Sequence, residues 1–509
     1  MKQDKGDFMV IDIYKSIIEN EHIDSLEVRQ GLSALRKEMK AEEVREELIE
    51  YLEDDITIVK FLKSTDGKIR KNTALFLGDL AIPETLDDLF QAYQKESTMF
   101  VRSAYLTALA EFDYRKYLPE LKSRLEELEQ IQLTPENRKH ITEEMHHITE
   151  LIMMLEGAKH HEFRGNRLMS DLMVLGNREQ MAVLKNQIIE EDIASEKDIF
   201  FMRAGLRFQT DQVGELRKVR TYQEILFLVK GMLSCEMNPK DGAETIISSD
   251  LLEFMKQRHK GKVPFYFRIE IKSKRDLKWK SNFTKKLAAG IEEGTNRQLI
   301  NSTSHYEFEI RLIENAKGRM NMMVKLYTMH DHRFEYRKGA VATSMKPVNA
   351  ALLVELAKPY MIEDAQVLDP FCGVGTLLIE RQKIIKGNTS YGIDEMAEAI
   401  EKAKLNTEEA GQIVHYINKD FFEFTHEYLF DEVFTDMPFA MGNTTQEDIR
   451  VIYEKFFKRI RHYIKEDATL ILYVRNPELL ERLAKKYQFE IKEEFLVDEK
   501  NQGKLYILK

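Results

Sequence analysis

Two cysteines in 509 residues, Cys235 and Cys372, are too few for a disulfide framework or a cysteine zinc site. That usage fits a reducing compartment, and a cytoplasmic protein is expected. No apolar run reaches the ~18 residues of a membrane span, and the opening "MKQDKGDFMVIDIYK" lacks the apolar centre of a secretion signal. Proline (10) and glycine (23) are scarce while Glu, Lys, Leu and Met abound, so much of the chain should be helical. Positive charge is also in deficit, with 76 Lys and Arg against 87 Asp and Glu and a net charge of −11. Spread evenly, that balance would argue against a nucleic-acid partner. It is not even: Leu251 to Ala340 holds 20 Lys and Arg against 10 Asp and Glu, a local +10 that leaves −21 elsewhere. This is the polarity a phosphate backbone seeks, although a solvated basic face gives the same count.

A chain this long exceeds one core, since cores stop growing near ~250–300 residues, so several domains are expected. Residues 1–158 carry a faint repeat. "KIRKNTALFLGDL" from Lys68 and "FVRSAYLTALAEF" from Phe100 align at an offset of 32, pairing Ile69 with Val101, Arg70 with Arg102 and Leu77 with Leu109, and "EVRQGLSAL" from Glu27 is a looser copy. Small and large apolar residues at helical spacing let paired helices stack, each burying its face on the next. The pattern resembles HEAT-like repeats; an ordinary helical bundle is the alternative. A long helix is expected from Pro135 to Glu156, with Ile141, Met145, Ile148, Ile152 and Leu155 on one face and a stop at Gly157. The pairs His146–His147 and His160–His161 lack the two-turn spacing of "HExxH", so no metal site is expected.

Residues 159–345 read as α+β. "VPFYFRIEIKSK" (Val263 to Lys274), "HYEFEIRLI" and "MNMMVKLYTM" read as strands, with a helix in "NFTKKLAAGIEEG". Lys272, Lys274, Arg275, Lys278 and Lys280 surround the single tryptophan, Trp279. An exposed aromatic on a cationic edge can grip a backbone and stack on a base; a core anchor is an equal reading of Trp279.

From Lys346 onwards strands and helices alternate, the pattern of a parallel sheet covered on both faces. Strands are expected at "AQVLD", "TSYGID", "IVHYIN", "DEVFTD" and "ATLILYV", with a final pair in "FEIKEEFLVDEKNQGKLYIL". Ligands of such sheets gather beyond the carboxyl ends of the strands. The first strand ends at Asp369, followed by Phe371, Cys372 and the turn Gly373–Val374–Gly375 in "LDPFCGVGTLLIE". A dinucleotide fingerprint would want a third glycine where Leu378 stands, and a P-loop would want Gly-Lys-Ser/Thr where Gly375–Thr376–Leu377 stands. S-adenosylmethionine carries an ammonium, a carboxylate and an adenosine, so an acid beside bare amides suits it better. Asp394 and Glu395, at the second strand end, can accept the ribose hydroxyls, and Asp420–Phe421, after the third, can meet the adenine amine and ring. Cys372 reads as a small loop residue rather than a nucleophile.

The fourth strand ends "TDMPF", Asp436 to Phe439. An exocyclic amine of a nucleobase is a poor nucleophile because its lone pair is delocalised into the ring. Acceptors aimed at its hydrogens, Asp436 and the Met437 carbonyl, favour the geometry of attack. Pro438 would fix the turn and Phe439 would stack on the flipped base.

"LDPFCGVGTLLIE", "GIDE", "KDFF" and "TDMPF", preceded by "RFEYRKGAVATSMKPVNAALLVELA", resemble the THUMP-type RNA methyltransferases that modify guanine N2, chiefly in tRNA. The resemblance implies a THUMP module over 159–345 that presents RNA to a Rossmann-like domain over 346–509. The cofactor would be held by Asp369, Phe371, Cys372, Gly373, Gly375, Asp394, Glu395, Asp420 and Phe421, and the target base by Asp436, Met437, Pro438 and Phe439. Met437 stands where many relatives have Pro or Leu, and Ala440 where Gly is frequent. The partner is then RNA, with the amino-terminal repeats open to a protein partner. An adenine-N6 methyltransferase acting on DNA or rRNA, and a catalytically inactive RNA-binding scaffold, are the alternatives.

Overall fold

The computed structural model describes residues 7–20, 23–52, 56–131, 134, 136–157, 161–442 and 444–509. Pro135, His160 and the expected boundary at residues 158 and 159 lie outside the described residues. The chain divides into two compact units, Met1–Lys159 and His160–Lys509.

The first unit is helical throughout its described residues. Ser25–Glu38, Gly67–Leu80, Met99–Leu109 and Arg138–Glu156 pack in succession, each on the next, with shorter helices between them. The repeated arginines explain the order. Arg29 pairs with Asp66, which also caps Gly67–Leu80 by accepting from the Lys68 amide at 2.8 Å. Arg70 donates to both Glu96 oxygens at 2.7 and 2.8 Å, and Glu96 in turn accepts the Thr98 amide ahead of Met99–Leu109. Arg102 donates to Glu144 on Arg138–Glu156 at 2.9 Å. Each arginine thus reaches the carboxylate that starts or lies on the next stacked helix. The close crossing is made by small residues: a Cβ on Gly78 would lie 2.7 Å from the Ala108 Cα. His146 and His147 sit on the last helix, their ring centroids 5.8 Å apart.

In the second unit the described residues form two large sheets. The upstream sheet has nine strands, in the order Phe200–Met202, Gly205–Thr210, Ser170–Leu175, Glu224–Leu228, Met320–Leu326, Phe308–Glu314, Phe265–Lys272, Leu299–Asn301, with Ser234–Cys235 beside Met320–Leu326. Its apolar face, including Phe267, Phe308, Ile310 and Val324, packs against Pro239–Ile247 and Leu277–Gly294. Its other face is not simply solvated. Glu309 is fully buried, holds Arg268 and Arg311, and Arg311 reaches Glu224, which also takes Lys325 at 2.7 Å. Trp279 packs 4.8 Å from Phe283 and against the core, so it anchors the helix rather than standing out as a platform. His161 is a structural clamp, its Nδ1 2.6 Å from Glu307 and its Nε2 2.8 Å from the Lys262 carbonyl.

The downstream sheet has seven strands: Gln366–Asp369 (β1), Thr389–Asp394 (β2), His415–Asn418 (β3), Phe430–Asp436 (β4), Ile464–Val474 (β5), Ile491–Asp498 (β6) and Gly503–Leu508 (β7). Their order is β3-β2-β1-β4-β5-β7-β6, parallel except for the antiparallel β7 pairings. Order reverses between β1 and β4, which opens the crevice where ligands bind such sheets. Two sets of contacts tie the sheets together. Asn177 and Gln180 donate to the Val497 and Leu496 carbonyls at 2.9 and 2.7 Å, and Arg220 donates to both oxygens of the buried Glu380 at 2.8 Å.

Candidate functional site

The ends of β1, β2 and β4 meet where the order reverses. β1 ends in Asp369, 1% exposed, whose Oδ1 accepts the Thr435 hydroxyl at 2.6 Å and the Phe371 amide at 3.2 Å. Burial outweighs these bonds and pushes the Asp369 carboxyl up to about 7. The chain then turns through Gly373 and Gly375, both at positive φ (53° and 78°), into the helix Thr376–Ile384. The two glycines serve different needs. A Cβ on Gly373 would point into open space, whereas one on Gly375 would lie 2.2 Å from the Tyr416 hydroxyl. Cys372 is buried, and burial raises its thiol well above the ordinary value, which suits a packing residue and not a nucleophile.

Asp394, ending β2, accepts the Gly373 amide on Oδ2 and the Met396 amide on Oδ1, both at 2.9 Å, and so fixes the glycine turn. Asp420, after β3, caps the turn that follows by accepting the Phe422 amide at 2.8 Å. The Phe371, Phe421 and Phe422 rings cluster there, with centroids 5.6 to 6.5 Å apart.

These groups line one cavity of about 470 Å³. Asp369, Phe371, Cys372, Gly373, Asp394, Glu395, Asp420, Phe421, Asp436, Met437, Pro438 and Phe439 all border it; Gly375 does not, and lies beneath the turn against Tyr416. The set fits a cofactor with one cationic and one hydroxyl-rich end: carboxylates at two strand ends, a backbone left bare at Gly373, and a cluster of aromatic rings on the cavity lining. Among the described residues no group of three or more His, Cys, Asp or Glu is arranged to hold a metal ion.

β4 carries Asp436 to the cavity wall. Its ladder with β5 continues one residue past the strand, the Met437 amide donating to the Tyr473 carbonyl at 2.9 Å. That register sets Arg475, just beyond β5, against the tetrapeptide. Arg475 donates to both Asp436 oxygens, at 2.9 and 3.3 Å, and its guanidinium carbon lies 3.9 Å from the Phe439 ring centroid. Burial raises the Asp436 carboxyl and Arg475 opposes that shift.

A second, larger space of about 1310 Å³ adjoins the first. Pro438, Phe439 and Thr343–Met345 border both, while Arg475, Asn177–Glu179, Glu224 and the Val497–Asn501 turn border only the larger. Sequence reasoning missed Arg475, Thr435, Phe422 and the Thr343–Met345 loop. The rule that singled out strand ends would have reached Arg475 had it been carried to β5.

Residues 335–503 match the family model described as UPF0020, RMKL-like, methyltransferase domain. Among solved structures, the chain is similar to TrmN from Thermus thermophilus (16% identity over 67% of this chain and 99% of that one, TM-score 0.51). It is similar to SMU.472 in complex with SAH (12%, 67% and 97%, 0.51). A protein described as a predicted N6-adenine-specific DNA methylase from Listeria monocytogenes is also similar (16%, 67% and 96%, 0.51). At these identities the likeness is one of fold, that of class I methyltransferases. No curated protein sequence matches the chain. No described helix is long and apolar enough to cross a membrane.

Proposed function

Starting from an S-adenosylmethionine-dependent methyltransferase domain in the carboxyl-terminal part of the chain, we propose that this protein methylates an exocyclic amine of a base in RNA, guanine N2 in tRNA. The observation that carries the reading is the shared wall: Pro438 and Phe439 border both the 470 Å³ cavity and the larger groove, with Asp436 beside them. A methyl donor on one side and a base on the other would meet at the tetrapeptide.

Bound S-adenosylmethionine supplies an electrophilic methyl group on a sulfonium. The chain's own groups do the rest. Asp369 would receive the ammonium, the Gly373 turn would face the carboxylate end, Asp394 and Glu395 would take the ribose, and Asp420 with Phe421 and Phe422 would take the adenine. Asp436 and the Met437 carbonyl accept hydrogens from the target amine, and Phe439 stacks on the base.

The Asp436 carboxylate already accepts two N–H groups from a planar guanidinium fork. Guanine offers the same fork through N1–H and N2–H, whereas adenine presents N6–H beside an acceptor nitrogen. This favours guanine. Adenine N6 in DNA or rRNA is the second reading, supported by the described specificity of the Listeria neighbour.

Upstream, the basic excess between Leu251 and Ala340 supports an RNA-binding, THUMP-like region, and Lys272, Lys274, Arg275 and Lys278 are exposed on its edge. The amino-terminal unit reads as HEAT-like and suited to a protein partner, and the cysteine usage fits the cytoplasm. The test is to incubate the protein with labelled cofactor and separate tRNA, rRNA and DNA pools, then digest to nucleosides. Labelled N2-methylguanosine from tRNA is expected. Labelled N6-methyladenosine would favour the second reading, and tight cofactor binding without any product would favour a scaffold.

A further inference from the structure

Arg475 holds both groups that a target base needs. Its guanidinium spans the Asp436 carboxylate and lies 3.9 Å from the Phe439 ring centroid, with the Tyr473 ring 4.9 Å away. A way out is open to it: its side chain is 22% exposed and it borders the larger groove. Asp436 faces no other cation within ion-pair distance among the described residues; Asp369, Tyr453 and Tyr473 are the remaining titratable groups that sense it.

A base approaching from the larger groove therefore finds its acceptor and its stacking surface taken. It can occupy them only by displacing the guanidinium, and a displaced arginine at the mouth of a groove is a charge without a partner. A phosphodiester entering with the base supplies one.

We propose that Arg475 is a placeholder and gate: it occupies the target-base position at rest and, when the base enters, swings onto a phosphate of the same RNA strand. The exchange makes base entry conditional on a backbone, so a strand is admitted in preference to a free nucleoside. This rests on the reading of the tetrapeptide as the target-base site. It adds a residue and a device that this reading does not require.

The exchange predicts opposite signs for two ligands. Bound to the full-length protein saturated with SAH, guanosine and a single-stranded RNA trinucleotide with a central guanosine are compared across the wild type, Arg475→Ala and Arg475→Lys by calorimetry and saturation-transfer NMR. Arg475→Ala should bind guanosine roughly two- to fivefold more tightly, the range of one exposed cation–π contact no longer in competition. It should bind the trinucleotide more weakly, and the slope of log affinity against log salt should flatten by about 0.7, one phosphate contact on a single strand. Arg475→Lys keeps the charge but loses the planar fork, so it should retain the wild-type salt slope while also binding guanosine more tightly. If Arg475 were a fixed counter-ion or a structural strut, both ligands would weaken together in Arg475→Ala. That result, an unchanged salt slope, or no guanosine binding to any variant would overturn the proposal. Should Arg475→Ala fail to fold, Arg475→Lys alone carries the guanosine comparison. Binding is read without turnover, so a wild type that transfers no methyl group to any nucleic acid would refute the activity and leave this test standing.

Discussion

The Thr435 hydroxyl on β4 donates to the Asp369 carboxylate on β1 at 2.6 Å, across adjacent strands at the floor of the cavity. The bond aims one oxygen of a fully buried acid whose carboxyl burial has pushed up to about 7. A cofactor ammonium prefers the ionised form, so SAH uptake near pH 6 should release a proton and affinity should rise from pH 6 to 8. Calorimetry in buffers of different ionisation enthalpy measures that proton. Asp369→Asn should bind weakly with a flat profile, and Thr435→Val should shift the rise to higher pH. The sign for stability is the reverse. A folded value above the ordinary 3.8 means the folded state holds the extra proton, so this contribution is full below about 4 and is lost as pH rises through about 7. Thermal melts of the cofactor-free protein should carry that slope, and Asp369→Asn should remove it.

Asp436 borders the cavity without touching the glycine turn's hydrogen bonds. Asp436→Ala should therefore lower methyl transfer by about a hundredfold or more, the scale of a lost transition-state acceptor, and leave SAH affinity within about twofold. Single-turnover transfer beside calorimetry separates the two. Normal turnover would remove Asp436 from the chemistry.

The glycines of the turn should fail differently when replaced. Gly373→Ala keeps φ +53 with open space around the new methyl, so it should cost about 1–2 kcal/mol of stability but a larger share of cofactor affinity. Gly375→Ala adds overlap with the Tyr416 hydroxyl at 2.2 Å and ring carbon at 2.9 Å, so its melting temperature should fall further. Tyr416→Phe should not rescue it, because the ring carbon and the backbone angle remain.

In the helical unit, Arg70 is the chief partner of Glu96, whose side chain is 2% exposed. Burial alone would raise the Glu96 carboxyl, and the bonds from Arg70 and Thr98 bring it below its ordinary value. Arg70→Ala strands that charge and should destabilise the unit by about 3–5 kcal/mol in urea unfolding followed by circular dichroism. Replacing both partners with Met and Leu should recover much of the loss.

What was legible in the sequence followed from local rules. Five parallel strands could be read from their apolar runs, three of which stop at an acid (Asp369, Asp394 and Asp436), and the offset of 32 marked Arg70 and Arg102. The strands Ser170–Leu175, Gly205–Thr210 and Glu224–Leu228 could not be read, because the antiparallel pairings that join them run between positions tens of residues apart and no tight turn marks them. Within the strand read at "HYEFEIRLI", Glu309 and Arg311 are buried because they pair with each other and with Arg268 and Glu224 on other strands, partners that the strand's own sequence does not reveal. The strand-end rule stops short of Arg475 unless it is carried to β5, and the pairing of Arg475 with Asp436 depends on the register that continues β4 one residue past the strand.

Glu380 lies in the helix that begins at the glycine turn, is fully buried, and takes its cation from Arg220, some 160 positions earlier, with the Tyr336 hydroxyl as a further donor. Excised at residue 346, the half that holds the downstream sheet would carry a stranded anion into its own interior. The smallest portable piece of this fold is therefore set by a salt link and not by where one sheet stops and the next begins, and any graft of this half onto a foreign adaptor would have to bring a substitute for that cation.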